Sequence, residues 1–241
     1  MISFYLSKTT GSKFTFGGYL ENMIKANQAV VWENMVSVDS GRYYWWQLKI
    51  RDLIFQGDSV FSNTYQLAIA DSGTSFMLVP LKEMMSIANA LNNKFYYEYF
   101  ACTSGSNVLC AFVNTKCSSI IPKLDPIKVQ FSSDWDFNVA PEDYMIDIND
   151  QGIDYCYLGM QGSNAGLFIF GDSFLRSFIS IYDFDNKRIG LAPHIYSQGS
   201  ITEHKYGLKP WIIAVIAVSS AIILISIVVA VIKIRKNKKE R

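Results

Sequence analysis

Short apolar or aromatic runs, several of them alternating, recur through residues 2–200 and are bounded by Gly, Asn, Asp and Ser. That rhythm belongs to short strands, because alternation puts one row of side chains on the core face of a sheet and turn residues end each run. Runs at 14–16, 43–50, 65–70, 95–101, 127–131 and 167–170 are accordingly expected to be strands. One stretch carries a helical period instead. In 81–91, LKEMMSIANAL, the apolar residues at 81, 84, 85, 87, 88 and 91 share a face, and Pro80 suits a helix entry. Shorter helices are expected at 141–145 and 173–176. The pattern predicts a fold that is mainly β with few short helices.

A different pattern takes over near the end. Residues 211–232, WIIAVIAVSSAIILISIVVAVI, hold 19 apolar residues and three serines, with no charge. As a helix this stretch extends about 33 Å, enough for a hydrocarbon layer of about 30 Å. One transmembrane α-helix is therefore expected there, entered at Pro210 and Trp211. The tail that follows, KIRKNKKER (233–241), is basic, whereas only Lys205 and Lys209 stand close on the other side. Excess positive charge marks the cytosolic side. A type I arrangement follows, with the amino-terminal domain (1–197) lumenal or extracellular, a polar stalk (198–210), the span, and a cytosolic tail.

Charge changes the picture once it is divided along those boundaries. The chain has 22 basic and 21 acidic residues, a net of +1, but the tail holds six of the basic residues and one of the acidic. Residues 1–210 thus carry 16 basic and 20 acidic residues, a net of −4. A nucleic-acid-binding domain shows a basic excess on its folded part, so nucleic acid is excluded as a partner, while the membrane is included. All four cysteines (102, 110, 117, 156) precede the span, an even number compatible with two disulfides in an oxidising space. They lack CxxC spacing, and the chain has only two histidines, at 194 and 204. Neither zinc nor another metal or cofactor is expected.

The sharpest local signal is Leu67-Ala-Ile-Ala-Asp71-Ser-Gly-Thr-Ser75. An apolar strand ends in an aspartate, and a tight turn follows that can aim backbone N–H groups and hydroxyls at the carboxylate. On those residues alone, an ordinary turn and a held catalytic carboxylate both remain open. Asp39-Ser-Gly-Arg42 is the other D-S-G, and it reads as a hairpin turn. The two histidines sit at the domain end and in the stalk, so a Ser-His-Asp triad has no base. The pairs Asp134/Asp136 and Asp183/Asp185 read as turn residues on a solvated surface. Trp32, Trp45, Trp46 and Trp135 read as core.

Over most of its length the chain resembles the C-terminal lobe of the pepsin-like (family A1) aspartic proteases. Ser3-Phe-Tyr-Leu-Ser7 is similar to the strand entering that lobe, Phe14-Thr-Phe-Gly-Gly18 to its Gly-Gly turn, and Tyr44-Trp-Trp-Gln-Leu48 to the segment before the catalytic strand. Ile69-Ala-Asp71-Ser-Gly-Thr-Ser75 matches the second catalytic motif, and Leu167-Phe-Ile-Phe-Gly171-Asp172 the segment that crosses beside it. Ile181-Tyr-Asp-Phe-Asp185 and Arg188-Ile-Gly-Leu-Ala-Pro193 resemble the closing strands. The resemblance implies one lobe of the pepsin-like fold, with double-psi β architecture. It makes Asp71 a catalytic aspartate, with the Gly73 amide and Thr74 hydroxyl bonding its carboxylate and Ser72 bracing the opposite loop. Ile69 would line the cleft, Ile169, Phe170 and Gly171 would form the structural loop beside the site, and Asp172 would be structural. It also implies a Cys117–Cys156 disulfide, which leaves Cys102 to Cys110.

Such chemistry uses two carboxylates sharing one proton, and this chain has one such motif. The expectation is an aspartic endopeptidase hydrolysing peptide bonds in peptide or protein substrates. This chain would then be a fragment, its membrane-anchored C-terminal half. The N-terminal lobe and an export signal would precede Met1, and the chain alone would be inactive as a monomer. The alternatives are a catalytically incomplete lobe acting as a lumenal binding module, or two copies that assemble one site.

Overall fold

The alternating runs close into three sheets. The structure is a computed structural model that describes residues 1–61, 65–96, 98–204 and 218–219. One five-stranded sheet has the spatial order Lys13–Phe16, Ile2–Tyr5, Phe178–Asp183, Arg188–Pro193, Val31–Asn34. A second runs Ser200–Glu203, Trp135–Val139, Ile127–Gln130, Asp52–Phe55, Asp58–Ser59. The largest, of eight strands, runs Gln47–Ile50, Gln66–Ala70, Phe168–Phe170, Met77–Pro80, Ile153–Ser163, Val108–Val113, Phe100–Cys102, with Met145–Asp150 paired to Ile153–Ser163. Most of its pairings are antiparallel, but Phe168–Phe170 runs parallel to Gln66–Ala70, and Ile153–Ser163 parallel to Met77–Pro80. The fold is mainly β with few short helices, and its contacts close on themselves over Met1–Glu203.

A chain of phenylalanines joins the three sheets. Phe131 meets Phe137 at 5.0 Å and Phe170 at 5.9 Å, Phe170 stacks on Phe174 at 4.5 Å, and Phe174 reaches Phe178 at 5.2 Å. All five rings are buried. Each such pair adds about 0.5–1.5 kcal/mol beyond the burial of its area. Two disulfides fasten the far side of the large sheet. Cys102–Cys110 links directly opposed residues of neighbouring strands, and Cys117–Cys156 ties the short Cys117–Ile120 helix to Ile153–Ser163. Two disulfides with no free cysteine among the described residues point to an oxidising, lumenal or extracellular space.

Several expected elements shift for local reasons. The helix spans Leu81–Lys94, with Met84, Ile87, Ala88 and Leu91 buried and Met85 half exposed at 50%. It runs past Leu91 because the buried Phe95 closes it, donating its N–H to the Leu91 carbonyl. Phe95 is thus a helix cap rather than the start of a strand, which begins at Phe100. The expected strand over 43–50 forms only as Gln47–Ile50, because the Gln47 N–H turns back to the Trp45 carbonyl. Asp39-Ser-Gly-Arg42 is a tight turn with both central residues at positive φ, 42° and 87°, the backbone of a two-residue hairpin loop.

Two surface assignments are corrected. Asp136 and Asp183 are buried, because each has strong donors: Gln130 and Lys128 on Asp136, and Asn186 and Arg188 on Asp183. None of the four tryptophans read as core is fully buried. Part of the expected stalk is strand, since Ser200–Glu203 pairs with Trp135–Val139 and buries Ile201. Among the described residues no helix is long and apolar enough to cross a membrane. The expected span at 211–232 lies outside them apart from 218 and 219, as do residues 205–210 and the tail at 233–241.

Glu33 couples the two smaller sheets. It sits on the Val31–Asn34 edge strand at 1% exposure and accepts from the Ser132 hydroxyl at 3.0 Å, the Ser133 N–H at 3.2 Å and the Ser133 hydroxyl. Burial pushes its pKa above 4.5, and the serine donors and the charge of Arg51 offset only part of that. A carboxyl whose folded pKa is raised stabilises the fold below its ordinary value, and that contribution is lost as pH rises through the raised one. Glu33→Gln removes the titration. Between about pH 4 and pH 8, the melting temperature of wild type relative to Glu33→Gln is expected to fall by several degrees, read by circular dichroism. A difference that stays constant with pH contradicts this role.

Candidate active site

The large sheet delivers Asp71 to the end of the Gln66–Ala70 strand. Ile69 is paired there with Gln47 on one side and Ile169 on the other. The Ala70 N–H donates to the Trp46 carbonyl at 2.9 Å and the Asp71 N–H to the Phe170 carbonyl at 3.0 Å. The aspartate is thereby held from both flanks before its own loop begins. Within the loop the Gly73 N–H reaches Asp71 Oδ1 at 2.9 Å, and the Thr74 hydroxyl reaches Oδ2 at 2.6 Å. Each carboxylate oxygen has one fixed donor, so the plane of the group is set by residues two and three positions away. Ser72 is exposed at the tip.

A second chain segment locks this loop from behind. After Phe170 the backbone passes through Gly171, and the Asp172 N–H donates to the Thr74 carbonyl at 2.8 Å. Both the N–H and the hydroxyl of Ser173 reach the Ser75 carbonyl at 3.1 Å. A Cβ on Gly171 would lie 2.1 Å from the Thr74 oxygen and 2.5 Å from that of Phe76. Its φ of −87° is ordinary, so the need for glycine here is one of space.

In front of Asp71 lies an open pocket of about 420 Å³, with Tyr44, Trp45, Ile69, Leu167 and Ile169 on its walls. Ile69, Ile169 and Asp71 thus meet at one site, while Phe170 and Gly171 lie behind it. Tyr44 and Trp45, each 58% exposed, are among the wall residues that sequence reading missed. Their signal was present, because an aromatic pair just outside an edge strand has no sheet face to bury it.

The negative charge of Asp71 is felt behind the site. Burial pushes the Asp172 carboxyl up, Arg176 pulls it down, and Asp71 adds to the rise. Tyr182 is pushed up to about 12, mainly by burial, with Ser180 opposing and Asp71 adding. Among the described residues, no cluster of three or more His, Cys, Asp or Glu side chains could hold a metal ion. The arrangement presents one oriented carboxylate at the mouth of an apolar pocket, able to take a proton from water or donate one.

The comparisons with known proteins agree on one family. A family model described as eukaryotic aspartyl protease matches residues 1–194. Cathepsin E of Mus musculus is 30% identical over 205 residues, covering 81% of this chain and 46% of its own length. Cathepsin E of Cavia porcellus is 32% identical over 205 residues, with the same coverage. Embryonic pepsinogen of Gallus gallus is 29% identical over 198 residues, covering 81% and 45%. The chain spans about half the length of the curated relatives it matches.

The crossing at Gly171 can be tested without an activity. Gly171→Ala is expected to destabilise the domain by about 3 kcal/mol or more, through overpacking against two carbonyl oxygens. That corresponds to a drop of roughly 6–12 °C in melting temperature for a domain of this size. An unchanged melting temperature contradicts the crossing.

Proposed function

Because this chain belongs to the eukaryotic aspartyl protease family, we propose that it supplies one lobe of an aspartic endopeptidase, the C-terminal one, with Asp71 as one of the two catalytic carboxylates. The observation that carries this reading is the pair of donors on Asp71, one for each oxygen, at the mouth of an open apolar pocket. A carboxylate held in a fixed plane can accept a proton from water without reorganising, and positioning of that kind is what a general base requires.

Two carboxylates close together cannot both ionise, so they share one proton and divide the work. One draws a proton from the water that attacks the peptide carbonyl. The other donates to the carbonyl oxygen. In this reading the partner carboxylate comes from a second lobe facing Asp71, and the exposed Ser72 reaches toward it. Gly73 and Thr74 orient Asp71, Ile69 lines the cleft, and Ile169, Phe170 and Gly171 support the loop. The substrate is a peptide or protein whose chain lies across the pocket, and water is the nucleophile. The hydropathy of residues 211–232 and the basic tail at 233–241 support a membrane anchor with the lobe on the lumenal or extracellular side. The two disulfides fit that side of the membrane.

The test uses the protein expressed from its own gene and captured with an antibody to the lobe. Cleavage of denatured haemoglobin at about pH 3–5, blocked by pepstatin, is expected. Asp71→Asn should lower kcat/KM by about 10³-fold or more while leaving the melting temperature within a few degrees. Cleavage that persists in Asp71→Asn, or the lack of any pepstatin-sensitive cleavage, overturns the proposal.

A further inference from the structure

The family match ends at residue 194, yet the chain stays bound to the lobe as far as Glu203. We propose that residues 194–203 form a strap clasping the lobe, and that His194 is its acid-sensitive latch. The proposal goes beyond the catalytic reading and does not depend on it.

The strap is fastened along its length. At its start, the Ile195 N–H donates to the Met23 carbonyl at 2.9 Å, and the Lys25 N–H to the Pro193 carbonyl at 2.8 Å. The Lys25 ammonium reaches the Ser197 carbonyl at 3.1 Å, and the Ser197 N–H reaches the His194 carbonyl at 2.8 Å. Gly199 then squeezes past the lobe, where a Cβ would lie 2.8 Å from the Asn138 oxygen. Ser200–Glu203 adds the edge strand beside Trp135–Val139, and the Asn138 amide donates to the Ser200 carbonyl and the Thr202 hydroxyl. Ile201 drops into the main core at 4% exposure.

His194 holds the first link, and its protonation state is fixed by its partners. Its ring is 5% exposed and packs edge-on against Tyr5 at 4.8 Å. Nε2 lies 2.7 Å from the Arg176 carbonyl, which can only accept, so Nε2 carries the proton. Nδ1 lies 3.2 Å from the Tyr196 N–H, which can only donate, so Nδ1 must be bare. The neutral ring satisfies both partners. A second proton on Nδ1 would point at another donor and break the bond to Tyr196.

The charges facing the ring come from every element packed on it. Asp143 favours the charged ring but is itself engaged by the Ser177 hydroxyl at 2.5 Å and Lys8 at 3.5 Å. Lys25 opposes the charged ring from the other side. Lys8, Glu142 and Arg176 line a polar cavity of about 210 Å³ beside it. Burial is the largest influence and holds the proton affinity below its ordinary value of 6.5, against the Arg176 carbonyl. A histidine with a lowered folded pKa stabilises the closed state above its ordinary value, and that contribution is lost as pH falls through the lowered one. Acid therefore loosens the strap, and neutrality closes it.

The test is hydrogen exchange on the full chain, with the amides of Ser200–Glu203 and Trp135–Val139 followed as pH is lowered. After correction for intrinsic rates, strap opening is expected to rise up to about tenfold per pH unit between 6.5 and the lowered value of His194. Amides of Phe168–Phe170 should not share that rise. In His194→Gln the side-chain amide can still donate to Arg176 and accept from Tyr196 but does not titrate, so the opening should lose its pH dependence. The chain has two histidines, and ring NMR of wild type should find His194 titrating below 6.5, a reading that stands even where the variant folds poorly. Strap exchange independent of pH in wild type, acid opening that survives in His194→Gln, or a His194 that titrates at or above 6.5 each overturns the latch.

Discussion

Two stretches of backbone cross where Gly171 passes the carbonyl oxygens of Thr74 and Phe76, with no room for a side chain between them. Most of the site follows from that crossing. It allows the Asp172 and Ser173 amides to satisfy the carbonyls of the Asp71 loop, groups that a tight turn otherwise leaves to solvent. It also puts Phe170 directly beneath the loop, where its carbonyl takes the Asp71 N–H and its ring enters the phenylalanine stack. The loop is therefore stiff because its backbone is paired on one side and its floor is packed. A carboxylate on such a loop keeps its orientation, and in the proposed reaction stiffness of this kind would be the fold's contribution.

The motif around Asp71 was legible because its bonds are local: the donors for both carboxylate oxygens lie within three residues of Asp71. The helix over Leu81–Lys94 and the strands of the large sheet were legible for the same reason, each showing its own period. The crossing was not legible from period or spacing. Gly171 has ordinary backbone angles, and the atoms that exclude a Cβ come from residues nearly a hundred positions away. Only the resemblance of its segment to a known one pointed there.

Other misreadings share that cause. Asp136 and Asp183 look like surface turn residues until the chain folds Lys128 and Arg188 back onto them. Residues 198–203 read as stalk because their strand, Ser-Ile-Thr-Glu, offers one large apolar residue, and four positions carry too little pattern to separate a strand from a linker. Its pairing with Trp135–Val139 supplies what its composition lacks.

The exposed aromatics bear on the second lobe that the proposed function calls for. Phe16 is 83% exposed and Phe14 59%, on an edge strand. From Phe14 the rings continue through Phe4, Tyr182 and Trp46, at centroid separations of 5.1, 5.7 and 4.9 Å. Trp46 stands on the wall of the Asp71 pocket. The middle of that path is already covered, with Tyr182 buried and Phe4 and Trp46 partly so. The exposed rings are Phe14 and Phe16 at one end and Tyr44 and Trp45 beside Asp71 at the other, and large exposed apolar side chains grouped in this way mark surfaces that another surface covers. In the proposed two-lobed enzyme, a second lobe that covered those exposed rings would bring its own carboxylate to Asp71 in one movement. On that reading, assembling the active site and covering the aromatic face are the same event.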